Sequence, residues 1–211
     1  MGLSLSFIAI RGPDALAGLG LAASGEPFRG EPLPPPEEFV AFDLGGWRFL
    51  MSEDHRFASR ERVVAAAEGG SAIGVYLEEH VMVSGAFGAE EGRLVWSVQH
   101  DPEQGLEHLD VWGEPPAALE GIRDRLLAEL QTLEDTDTLF SAPVDLAATI
   151  CGFDPNAFSG EVEMTGLKVV RKDLMKLRDP VLAADLRDPG ATPPASDPPR
   201  PGFLARLFGR R

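Results

Sequence analysis

The sequence holds a single cysteine, Cys151. An intramolecular disulfide is therefore excluded, and so is a zinc cage built on cysteines. A lone thiol agrees with a reducing compartment, and the expectation is a cytoplasmic protein. No apolar run approaches the roughly 18 residues of a membrane-spanning helix. Met1 to Ile10 is apolar, but no basic stretch precedes it and it stops at Arg11-Gly12-Pro13, so it reads as a buried strand rather than a signal peptide. The chain also lacks a Gly-x-Ser-x-Gly elbow, a phosphate-cradling glycine loop and an internal repeat. Glu134, Asp135 and Asp137 resemble a calcium loop in charge alone, without the glycine and terminal glutamate that such loops need. No cofactor is implied by any of these patterns.

Cations are scarce. Nineteen Lys and Arg face 34 Asp and Glu, a formal net charge of −15. Residues 191–211 contain four Arg and one Asp, so residues 1–190 carry −18. Such a body repels nucleic acid and anionic membrane, whose binding depends on Lys and Arg neutralising phosphate. It attracts a basic protein partner.

The composition divides the 211 residues into three parts. Residues 1–188 read as one acidic domain, long enough to bury a core. Residues 189–201 form a proline-rich linker. Residues 202–211 are a short basic and apolar tip. Placed on a helix, Phe203, Leu204, Leu207 and Phe208 gather on one side, while Arg206, Arg210 and Arg211 supply positive charge. That composition suits docking into a protein groove, or weak contact with a membrane surface.

Within the body, Leu3 to Ile10 predicts a first strand and Pro13-Asp14 a short helix ended by Gly18 and Gly20. Glu26 to Glu38, with Pro32, Pro34, Pro35 and Pro36, predicts a loop. Glu38 to Asp43 and Trp47 to Ser52 flank Gly45-Gly46 as a hairpin. Ser59 caps a helix over Arg60 to Glu68. Ala72 to Leu77, Val81 to Phe87, Leu94 to Gln99 and Leu106 to Val111 are four strands whose short connections demand an antiparallel meander over 72–112. Leu119, Ile122, Leu126, Leu130 and Leu133 make one helical stripe to lie on that sheet. Val144 to Cys151 is another helix, closed by Gly152. Glu161 to Arg171 is a last strand, and Asp173 to Leu186 is helix-like but interrupted by Pro180. The expected fold is α+β: a two-layer sandwich of an antiparallel sheet with helices packed mainly on one face.

Three of the four histidines lie in or beside the meander. His80, His100 and His108, with Asp101 and Asp110, offer the imidazoles and carboxylates that a zinc or iron site uses. Alternation along a strand would set His108 on the same face as Asp110. The spacing matches no established ligand pattern, and a strand-end histidine is more often structural. Cys151, beside Ala147, Ala148 and Ile150, reads as a small core residue.

The favoured reading is a non-enzymatic protein-binding module, an immunity- or antitoxin-like neutraliser or an adaptor, with an acidic body and a tethered docking tip. The alternatives are a small metal-assisted hydrolase using the His80, His100 and His108 region, and a structural subunit.

Overall fold

The computed structural model describes residues 4–133 and 136–175. The chain builds ten strands: β1 (Ser4–Arg11), β2 (Leu21–Ala23), β3 (Phe28–Gly30), β4 (Val40–Leu44), β5 (Trp47–Ser52), β6 (Ser71–Glu78), β7 (Val83–Glu90), β8 (Arg93–His100), β9 (Asp110–Gly113) and β10 (Val162–Val169). Helices α1 (Arg60–Ala66), α2 (Ala118–Leu130), α3 (Ala142–Cys151) and α4 (Lys172–Met175) complete it. The strands form one sheet in the order β2-β10-β4-β5-β1-β6-β7-β8-β9, with β3 also on β10. Its ladders are antiparallel. The α+β class is therefore observed. The linker 189–201 and the tip residues Phe203, Leu204, Arg206, Leu207, Phe208, Arg210 and Arg211 lie outside the described residues, as does most of the helix read over 173–186.

Local chemistry explains several boundaries. Gly45 and Gly46 have φ of 59° and 79°, the left-handed pair that a two-residue hairpin turn requires, and they join β4 to β5. The Ser59 hydroxyl accepts from the Arg62 amide and starts α1. Pro143 sits in the first turn of α3, where a missing amide costs nothing, and Gly152 at φ 73° ends it. Strands β6 to β9 are consecutive neighbours, as the meander requires.

The last meander strand begins later than the hydrophobic pattern suggests. Asp101 accepts from the Glu103 amide and opens a 3₁₀ turn at Pro102–Gln104, and Gly105 follows at φ 126°. These turns consume Leu106 to Leu109, so pairing with β8 starts at Asp110. The helix read from Pro13 is also absent. Asp14 instead accepts from the Leu16 amide, and a run of turns ends at Gly20, φ 72°. Within 26–38, the short strand β3 lies between Pro27 and Pro32 and finds its partner in β10.

Both faces of the sheet are covered, which differs from the expected two-layer sandwich. Strands β1, β6 and β7 each bury six successive residues rather than alternate ones. Apolar side chains on both faces demand a layer on each. On one face, Val63 of α1 fills the space that a side chain at Gly74 would need, beside Ile8, Tyr76 and Phe87. On the other, Phe153 just after α3 meets Phe7, Phe42 and Phe49 with ring centres 5.1–5.6 Å apart. Neighbours Phe7 and Ile8 thus point into different cores, as strand alternation dictates.

Helix α2 does not lie on the sheet as its stripe suggests. It packs on α3, burying Leu126 with Leu139 and Ala142. The stripe fades along the chain, and Leu133 is 48% exposed.

Candidate functional site

The residues first suspected of metal chemistry are distributed over separate places. His80 follows the end of β6 in an exposed turn. Its Nδ1 lies 2.6 Å from Glu78 Oε1, while His55 Nδ1 lies 3.0 Å from Oε2 of the same carboxylate. Glu78 thus bridges two imidazoles. Burial raises its pKa, but hydrogen bonds from Ser4 and His80 and the field of His55 oppose this and leave it below the ordinary carboxylate value. His55 is a partner that a search confined to the meander could not find.

His100 is completely buried at the end of β8. Its Nδ1 lies 2.7 Å from the His108 carbonyl and its Nε2 lies 2.8 Å from Asp137 Oδ2. Ser84 faces His100 across the β7–β8 ladder, so serine, histidine and aspartate occur together. They do not form a nucleophilic triad. Both ring nitrogens of His100 are engaged elsewhere, and the Ser84 hydroxyl donates to the Phe140 carbonyl at 2.6 Å. The cluster ties residues 137–141 to β7 and β8.

His108 lies in the turn before β9, not on the strand beside Asp110 as expected. Its amide donates to the Gly105 carbonyl, and its buried Nδ1 has no hydrogen-bond partner among the described residues. Asp101 is occupied in capping, accepting from the Glu103 amide and the Gln104 side chain. Asp110 pairs with Gln99 in the β8–β9 ladder. Among the described residues, no three His, Cys, Asp or Glu side chains form a metal-holding group.

A different feature emerges at the sheet edge. Among the described residues, strand β9 is terminal in the strand order and pairs with β8 on one side only. A terminal strand offers backbone donors and acceptors to an incoming chain. Three large apolar side chains stand exposed here: Leu106 (44%), Val111 (44%) and Trp112 (39%). The segment that carries them has formal charge of one sign. Residues 94–122 contain no Lys or Arg, while Asp101, Glu103, Glu107, Asp110, Glu114 and Glu120 fall within them. The sequence showed acidity in bulk. The strand order shows that, among the described residues, an acidic segment supplies the last strand of the sheet.

The comparisons give no independent indication of function: no family model, curated protein or solved structure matches the chain.

Proposed function

We propose that the protein is a non-enzymatic protein-binding module whose β9 edge takes up an extended basic segment of its partner. The observation that carries this reading is the terminal strand itself, with Val111 and Trp112 exposed in a segment, 94–122, that holds carboxylates and no Lys or Arg. Strand addition would supply backbone hydrogen bonds, and alternating apolar and basic side chains of the partner would meet Trp112 and the flanking carboxylates. The acidic field would speed encounter with a basic segment. The tip, through Phe203, Leu204, Leu207 and Phe208 with Arg206, Arg210 and Arg211, would make a second contact with the partner, or a weak one with a membrane surface. Helices behind both sheet faces would keep the edge rigid. An immunity- or antitoxin-like neutraliser, or an adaptor, works in this manner, and the lone thiol Cys151 suits the cytoplasm.

The test uses a designed peptide of alternating Lys and Val, a counterpart with Glu in place of Lys, and a counterpart interrupted by Pro. Each is titrated into the isotopically labelled full chain. The Lys peptide is expected to shift the amide signals of Asp110 to Gly113, less so at high salt. Neither counterpart should do so, and Val111→Lys should weaken the response. Absence of shifts at β9, or an equal response to the Glu peptide, would refute the proposal. Leu207→Asp, combined with a bound partner, would then report on the tip.

A further inference from the structure

At the far end of β1 a cleft of about 440 Å³ opens between the Arg11–Ala15 segment and the β4–β5 hairpin. Arg11, Asp14, Asp43, Trp47 and Arg48 line it. Its volume falls within the roughly 300–1,000 Å³ typical of small-molecule sites.

The charged groups here are not evenly matched. The Arg11 guanidinium lies 4.3 Å from the centre of the buried Trp47 ring. Stacking uses the face of the guanidinium and holds it in place, while the N–H donors along its edge stay available. No carboxylate among the described residues lies within ion-pair distance of Arg11. Arg48 differs. It makes a two-pronged pair with Asp43, 2.9 and 3.0 Å, and also feels the negative field of Asp14. Asp14 accepts from the Leu16 amide through Oδ1 and forms no ion pair among the described residues. The cleft therefore holds one cation without an anion, Arg11. It also holds two carboxylates, Asp14 and Asp43, that share one cation, Arg48.

This pattern discriminates among ligands. A simple anion gains at Arg11 but is repelled by Asp14 and Asp43. A simple cation meets the reverse problem. A small molecule with a carboxylate and an ammonium close together gains at both Arg11 and Asp14. We propose that the cleft binds a small zwitterion of the α-amino-acid class, its carboxylate on the Arg11 guanidinium and its ammonium on Asp14. The aliphatic part of the ligand would lie over Pro13 and the hairpin. This site is separate from the β9 edge and independent of any partner held there.

The experiment titrates each common L-α-amino acid into the labelled full chain and follows the amide signals of Gly12 and Gly46, which line the cleft. For each responder, the amine lacking the carboxylate and the acid lacking the amine serve as controls. At least one amino acid is expected to shift both signals, with both controls at least roughly tenfold weaker. Arg11→Gln and Asp14→Asn should each weaken binding by about tenfold or more. Asp14 is exposed, so Asp14→Asn remains informative even if Arg11→Gln unfolds the protein. The inference is overturned if no amino acid shifts these signals at about 10 mM, a level at which even weak sites fill. It is equally overturned if the deaminated acid binds as tightly as the amino acid, or if Asp14→Asn leaves affinity unchanged.

Discussion

His100 Nε2 lies 2.8 Å from Asp137 Oδ2, and both side chains are shielded from solvent. The other ring nitrogen faces a carbonyl oxygen, which only accepts, so Nδ1 carries a proton and donates. The contact with Asp137 occupies the remaining ring nitrogen. Removing either partner strands the other without solvation. His100→Ala and Asp137→Ala are each expected to cost about 3–5 kcal/mol, whereas the double change costs clearly less than their sum. Urea denaturation of the four proteins measures this coupling.

Glu78 predicts a distinct pH response. Burial disfavours its charge, but Ser4, His80 and His55 stabilise it and leave its pKa lowered on balance. A lowered folded-state pKa adds stability above the unfolded carboxylate value, and that stability disappears as pH falls through the folded value. Glu78→Gln should therefore lower the unfolding midpoint at neutral pH. The gap from the native sequence should narrow as pH drops below the ordinary carboxylate range. Thermal melts across that range provide the check, and a constant gap would show that the carboxylate charge is irrelevant.

Cys151 should be chemically silent while the protein is folded. It is the buried last residue of α3, and burial pushes its thiol up to about 11. Little thiolate exists at neutral pH, and reagents lack access. Alkylation with iodoacetamide is expected to be negligible in buffer and complete in urea. The raised value also sets a sign: its contribution to stability is present below the unfolded thiol pKa and lost as pH rises through the folded value. Mass spectrometry after timed alkylation tests the first point, and alkaline melts test the second.

Local devices were legible in the sequence because each acts over a few residues. Gly45-Gly46 specifies its turn through backbone conformation, Ser59 marks its helix by capping, and Gly152 closes α3 at positive φ. The close spacing of β6 to β9 permits only antiparallel connections. What remained hidden depended on distance along the chain. Asp137 reaches His100 across 37 residues, and no pattern near either announces the pair. Arg11 and Trp47 meet because β1 lies beside β5, a relationship absent from hydrophobic periodicity. Leu106 and Leu109 give the segment around His108 a strand-like apolar pattern, but the turns around Asp101 and Gly105 override it. The unbroken apolar character of β1 and β7 was the available hint of a sheet covered on both sides.

The position of β10 bears on the order in which the molecule can be completed. Its eight residues pair with Leu21–Ala23, Phe28–Gly30 and Val40–Phe42, all from the first quarter of the chain. During synthesis these early segments must wait while more than a hundred further residues are made, with the outer side of β4 uncovered throughout. Closing such long loops is slow, and an uncovered strand is open to pairing with another chain. A cut between Gly152 and Val162 would therefore remove more than one strand. It would release β2 and β3 as well, leaving β4 as a new raw margin of the sheet.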